Sequence, residues 1–240
     1  MLVREKIVAL FGLMALSVSL FPDTCMADCV PSSCGKLTIH FPFRLRSDPK
    51  KCGYPDYELV CKNNRTTLPL KFTTLPLKFT TNQSFLVEEI SYENQTVRVV
   101  DASLDRNKCS IPYHYGLVKS RHWRDTSFSL EPTRNSIMHV LNCRMPMSSS
   151  LYVDASSCTD SSSSAHTYFF LFNSQTKLSD FNESCRIEAQ FPIMLSNISG
   201  LSASDIYLKM LMGFELTGWR WFCSNHRSIL CSSRSLREKM

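Results

Sequence analysis

Two clusters of basic side chains are the residues here whose types and spacing could do chemistry. Arg44, Arg46, Lys50 and Lys51 form one, and Lys119, Arg121, His122, Trp123 and Arg124 form the other. Arginine and lysine grouped in this way pair with carboxylates, and a neighbouring ring can lie against the face of a sugar. The combination suits recognition of an acidic polysaccharide, with no bond made or broken. A solvated loop is the plainer reading of each cluster, and both readings stand at this point.

Catalytic patterns are missing. The chain has seven glycines and no Gly-x-Gly-x-x-Gly loop, His-Arg-Asp or Asp-Phe-Gly sequence, which excludes kinase chemistry for this polypeptide. It also lacks Gly-x-Ser-x-Gly and His-Glu-x-x-His. Glu88 and Glu89 are adjacent on an expected strand and so point to opposite faces, a poor geometry for paired acid/base work. Cys223, His226 and Cys231 superficially resemble zinc ligands, but a structural site needs four at suitable spacing. No catalytic residue, metal or cofactor is expected.

The positioning elements are disulfide-stapled. Arg4 and Lys6 precede an apolar stretch from Ile7 to Phe21, and Cys25-Met26-Ala27 places small residues at −3 and −1 of a cleavage site. That pattern predicts a secretory signal peptide over residues 1–27. Of 11 cysteines, cleavage removes Cys25 and leaves Cys29, Cys34, Cys52, Cys61, Cys109, Cys143, Cys158, Cys185, Cys223 and Cys231, an even set suited to an oxidising compartment. Spacing leaves their connectivity open. Acceptor sequons at Asn64, Asn82, Asn94, Asn182 and Asn197 predict N-glycosylation on exposed loops. The net charge of +6 and pI near 8.7 favour acidic glycans over nucleic acid outside a cell, although ordinary surface charge explains them equally well. The stretch from Ile206 to Phe222 is interrupted by Lys209, Glu215 and Arg220, so no membrane span is expected after the leader.

Alternation of apolar and polar residues predicts strands at Leu37–Phe43, Tyr57–Cys61, Phe85–Tyr92, Thr96–Val100, Ile137–Cys143, Tyr168–Phe172 and Cys185–Ile193. Glu93-Asn94-Gln95 is an expected hairpin turn. Phe41, Phe43 and Tyr57 are assigned to the core rather than to a sugar platform. Ser202 and Asp205 form a capping box before a short helix that stops at Gly213. The expected class is therefore mainly β, a disulfide-rich extracellular module or modules with one short helix near the C-terminus. Residues 66–72 and 73–79 both read TTLPLKF; one copy is expected to loop out of its strand, because an odd insertion reverses the facing of every later residue in the strand.

The segment CVPSSCGKLTIHFPFRL and, after it, CGYPDYELVC resemble the galacturonan-binding domain of plant wall-associated receptor kinases. The positions that carry the likeness are Cys29, Cys34-Gly35, Ile39, Pro42-Phe43, Cys52-Gly53, Tyr57, Leu59 and Cys61. Ile90-Ser-Tyr92, Thr96 to Asp101, Asn142-Cys143, Tyr152 to Asp154, Ser184 to Glu188 and Gly213 to Thr217 are similar to the ectodomain of leaf-rust-resistance-locus receptor-like kinases in particular. A related ectodomain occurs on plant membrane RING-finger ubiquitin ligases. The resemblance implies a non-catalytic galacturonan (pectin) binder, divided as signal peptide 1–27, galacturonan-binding-like domain 28–106, a second cysteine-containing β region 107–217 and a divergent basic tail 218–240. The family continues into a transmembrane helix and a kinase that this sequence does not carry. The expectation is secretion to the cell wall, or plasma-membrane anchoring if the chain belongs to a longer receptor. The partner expected is acidic wall polysaccharide, and receptor-like kinases are a second. A peptide- or protein-sensing ectodomain, or a soluble decoy pairing with full-length receptors, is the alternative. It would show as a flat apolar interface free of sequons rather than a basic groove.

Overall fold

The computed structural model describes residues 29–74, 79–111, 127–131, 133–159 and 166–218, with the side chains of 71–82 left out. The expected leader, the cluster Lys119, Arg121, Trp123 and Arg124, the pair Cys223 and Cys231, and the side chain of Asn82 lie outside the described residues.

Strands dominate, as the alternation predicts. A two-stranded ribbon, β1 (Ser32–Cys34) with β2 (Leu37–Ile39), precedes a seven-stranded sheet. That sheet is built from β3 (Arg44–Leu45), β4 (Glu58–Lys62), β5 (Arg65–Thr74), β6 (Phe79–Ser91), β7 (Thr96–Asp101), β8 (Ser129–Leu130) and β13 (Phe214–Thr217). A four-stranded antiparallel sheet holds β9 (Ser136–Cys143), β10 (Tyr152–Asp154), β11 (His166–Phe172) and β12 (Cys185–Ile193) in the order β10-β11-β9-β12. The helix α1 (Ala203–Met212) starts at Ser202, whose hydroxyl accepts the Asp205 N–H at 3.2 Å while the Asp205 carboxylate accepts the Ser202 N–H at 2.9 Å. Gly213 ends it, as predicted.

Local chemistry explains the turns. Lys62 pairs directly with Arg65, so Asn63-Asn64 is a two-residue hairpin loop, and both asparagines adopt positive φ (51° and 58°). Such a primed turn matches the twist of the flanking strands, and asparagine tolerates it better than most residues. The expected strand from Leu37 is shorter than predicted: it stops at Ile39, and a turn in which the Phe43 N–H donates to the His40 carbonyl at 3.1 Å leads into β3. Copy 66–72 of TTLPLKF lies wholly in β5, and copy 73–79 contributes the last residues of β5 and the first of β6. Thr73 faces Thr80 across the ladder, and residues 75–78 of the second copy, where the expected loop would fall, lie outside the described residues.

The strands enclose two main cores. Phe43, Tyr57, Leu59, Leu68, Phe85, Val97, Val99 and Leu216 pack in the first, with Phe43 and Tyr57 edge to face at 5.4 Å. Met138, Phe169, Phe191, Ile193, Ile206 and Met210 pack in the second, joining the four-stranded sheet to α1. Leu141, Cys143, Tyr168, Phe170 and Cys185 form a smaller cluster. Strand β13 comes from beyond α1 yet pairs with β7 over Phe214–Thr217 opposite Val99–Thr96, so the far end of the chain contributes to the first sheet. Among the described residues four disulfides join Cys29–Cys52, Cys34–Cys61, Cys109–Cys158 and Cys143–Cys185. Among the described residues no helix is long and apolar enough to cross a membrane.

His139 on β9 is 8% exposed, and burial pushes its pKa down to about 4. The unfolded chain takes up this proton below about 6.5, whereas the folded chain resists until about 4. Stability is therefore full above pH 6.5, falls as pH drops from 6.5 to 4, and levels below that; the drop attributable to His139 is on the order of 3 kcal/mol. Denaturant titrations at pH 7.5, 5.5 and 4 should show this slope in the native protein and its loss in His139→Leu; equal slopes in both would refute the assignment.

Candidate binding site

The motif glycines bring separate turns together. Gly35 sits at φ +60°, and a Cβ there would lie 2.4 Å from the Asn64 carbonyl oxygen. The β1–β2 turn thus packs backbone to backbone on the β4–β5 turn, and the Cys34–Cys61 bridge fastens the two strands beside it. Gly53 serves close packing in the same way, since a Cβ would meet Arg44 Cβ at 2.8 Å and Pro42 O at 2.9 Å.

Beside the contact between Gly35 and Asn64 lies a cavity of about 410 Å3 whose lining includes Lys36, Asn64, Arg65, Leu86, Glu88 and Arg106. Glu88 is presented by a bulge in β6, where the register shifts between Val87 and Glu89. Bulges commonly re-aim a side chain in this way. The Glu88 carboxylate accepts from Lys36 Nζ at 3.5 Å and Arg106 Nη2 at 3.1 Å, which draws the two cations to one rim. Glu89 pairs instead with Arg98 at 3.1 Å, so the two adjacent carboxylates have different partners; the bulge, rather than the regular alternation expected from the sequence, sets their directions. The Arg65 side chain is exposed and has no hydrogen-bond or ion-pair partner among the described residues. Three cations against one carboxylate leave the cavity positive.

Arg106 depends on the second half of the molecule. Its loop is pinned at Asp101, whose Oδ1 accepts from Ser103 N at 2.7 Å and Ser103 Oγ at 2.6 Å, and at Asp105, whose carbonyl accepts the Tyr207 hydroxyl at 2.7 Å. Tyr207 lies on α1, so helix and cationic rim are linked.

The basic residues singled out from the sequence fall elsewhere. Arg44 is 6% exposed and bonded to Glu58, to which Arg46 Nε also donates at 2.7 Å. The hydrogen bond from Arg46, with the Arg44 charge behind it, holds the Glu58 carboxyl below its ordinary pKa. A place beside other cations in sequence groups Arg44 with ligand-binding side chains; burial and Glu58 instead commit its guanidinium to the fold. Lys50 and Lys51 are exposed on a 3-10 turn over Lys50–Cys52. Neither they nor Arg46 line the cavity. Of the sequon asparagines, Asn64 lines it, and Asn94, Asn182 and Asn197 are exposed in turns or loops.

Sequence reading missed Lys36, Arg65, Arg106 and Glu88 because they are scattered from residue 36 to residue 106, and a search for charge runs sees only neighbours. The available signal was the tight turn beside each bridged cysteine: Gly35-Lys36 comes directly after Cys34, and Asn63-Asn64-Arg65 shortly after Cys61. Gly35→Ala should cost at least about 2 kcal/mol, because alanine is strained at positive φ and its methyl would strike the Asn64 carbonyl. Thermal melts should report the loss, and wild-type stability in this variant would contradict the packing described.

Residues 29–101 match the family model described as wall-associated receptor kinase galacturonan-binding, which bears out the resemblance read from the cysteine-glycine motifs. A curated relative, the RING-H2 finger protein ATL22 of Arabidopsis thaliana, is 38% identical over 77 residues, covering 30% of this chain. The match spans 18% of that relative's length. No solved structure matches.

Proposed function

We propose that this chain is a non-catalytic extracellular recognition module that binds galacturonan through the cavity of Lys36, Arg65 and Arg106. The single observation that carries the reading is the excess of cationic side chains in that cavity, within and immediately after the stretch matching a galacturonan-binding family. Uronate carboxylates would take the open donors of Arg65 and share Lys36 and Arg106 with Glu88. The apolar wall of Leu37, Leu86 and Val87 would meet the C–H faces of the sugar. The disulfide and the Gly35–Asn64 contact hold the donors in place before binding, which lowers the ordering cost on association. The same reading puts the protein in the cell wall space as a secreted glycoprotein, with the sequon at Asn64, which lines the cavity, left unmodified.

The test is binding of the secreted, disulfide-intact protein to demethylesterified oligogalacturonides across a salt series, with a neutral glucan as control. Saturable binding that weakens as salt rises, and none to the glucan, is expected for exposed cations. Absence of binding, or equal binding to the glucan, would defeat the proposal.

A further inference from the structure

A second concavity, of about 1150 Å3, lies between the segment 145–151 and the turn at 178–183. Its wall is apolar yet open to solvent: Leu178 is 91% exposed, Met145 63% and Leu151 44%. Its shape is fixed by Tyr152, whose hydroxyl donates to the Asp180 carbonyl at 2.7 Å and accepts the Asn182 N–H at 2.9 Å. Folded chains rarely leave such a patch uncovered without a use for it.

Asn182 is itself part of the lining and opens the acceptor sequence Asn182-Glu183-Ser184. Its Oδ1 accepts the Ser184 N–H at 2.9 Å, an Asx turn that fixes the side chain, and its Nδ2 has no partner among the described residues. Asn197 makes the same turn with Ser199 at 2.9 Å but lines no part of this concavity.

We propose that the N-linked glycan of Asn182 folds back and seats its first sugars in this concavity, covering the apolar wall. The proposal rests on the reading of the chain as a secreted glycoprotein. Attachment transfers an oligosaccharide from a polyprenyl diphosphate donor: the sugar C1–N bond forms at Nδ2, the C1–O bond to diphosphate breaks, and Nδ2 loses one proton. The C–H face and acetyl methyl of N-acetylglucosamine then lie on Leu178 and Met145, and its hydroxyls meet the polar edge at Asp180 and Glu183.

Two measurements on protein secreted from a eukaryotic host test this. Peptide mass spectrometry reads the occupancy of Asn182. Hydrogen exchange and binding of an apolar dye are then compared for the intact glycoprotein, the same protein trimmed enzymatically to the first N-acetylglucosamine, and Ser184→Ala, which abolishes the acceptor but keeps Asn182. The Ser184 hydroxyl is buried without a partner, so its removal leaves no polar group stranded. Expected are full occupancy, retained protection of 145–151 and 178–183 after trimming, and severalfold faster exchange with increased dye binding in Ser184→Ala. Asn197→Gln should leave both segments unchanged. An unoccupied Asn182 would overturn the proposal at its premise; full occupancy with identical exchange and dye binding in Ser184→Ala would overturn the seating alone.

Discussion

Replacing Cys34 and Cys61 together by alanine is expected to destabilise the protein by roughly 3–4 kcal/mol, lowering its melting temperature by about 10 °C. The bridge closes a loop of sequence separation 27, so its loss returns substantial freedom to the unfolded chain. Cys34 is 3% exposed in the first core, and packing is lost with the bond. The second consequence is local. Cys34 and Cys61 precede the two turns that touch at Gly35 and Asn64, so the wall of the cationic cavity loosens even at temperatures where the rest is folded. Oligogalacturonide affinity should therefore fall in the variant at 20 °C, well below its melting point. Calorimetry and binding on one preparation check both parts; unchanged stability would refute the role given to the bridge.

Arg65→Glu combined with Arg106→Glu is expected to weaken oligogalacturonide binding by about 2 kcal/mol, or roughly 30-fold, at moderate salt. The change removes two donors and puts two carboxylates where uronate groups must come. Stability should barely move, because Arg65 has no described partner and the exposed Arg106–Glu88 pair contributes little. Lys50→Glu with Lys51→Glu alters net charge by the same amount on the 3-10 turn outside the cavity. It should weaken binding only about threefold, by the screened long-range field. Equal losses in the two variants would mean that overall basicity, not this cavity, attracts the polymer.

The elements were legible wherever a local rule governs them. Cys185–Ile193 appears as the strand its alternation predicts, and the Ser202–Asp205 box opens the helix where it should. Phe43 and Tyr57 are buried as assigned, whereas Phe41, assigned with them, is only half-buried and belongs to neither core. What sequence could not carry was long-range. The pairing of β13 with β7 joins residue 217 to residue 96, and no local pattern encodes that partnership. Disulfide connectivity was open for the same reason. The candidate site was the least legible part, because the Glu88 bulge, the Gly35–Asn64 contact and the Tyr207–Asp105 bond assemble cations that sequence keeps far apart. Arg44 shows the converse: a neighbour in a basic run, withdrawn from the surface by one glutamate across a parallel strand pair.

The most direct test of the central claim is hydrogen exchange of the secreted protein with and without a saturating oligogalacturonide. The account predicts protection concentrated at residues 34–37, 64–66, 86–88 and 104–106, which surround the cavity. Protection confined to the 50–52 turn, or spread evenly over the surface, would contradict it.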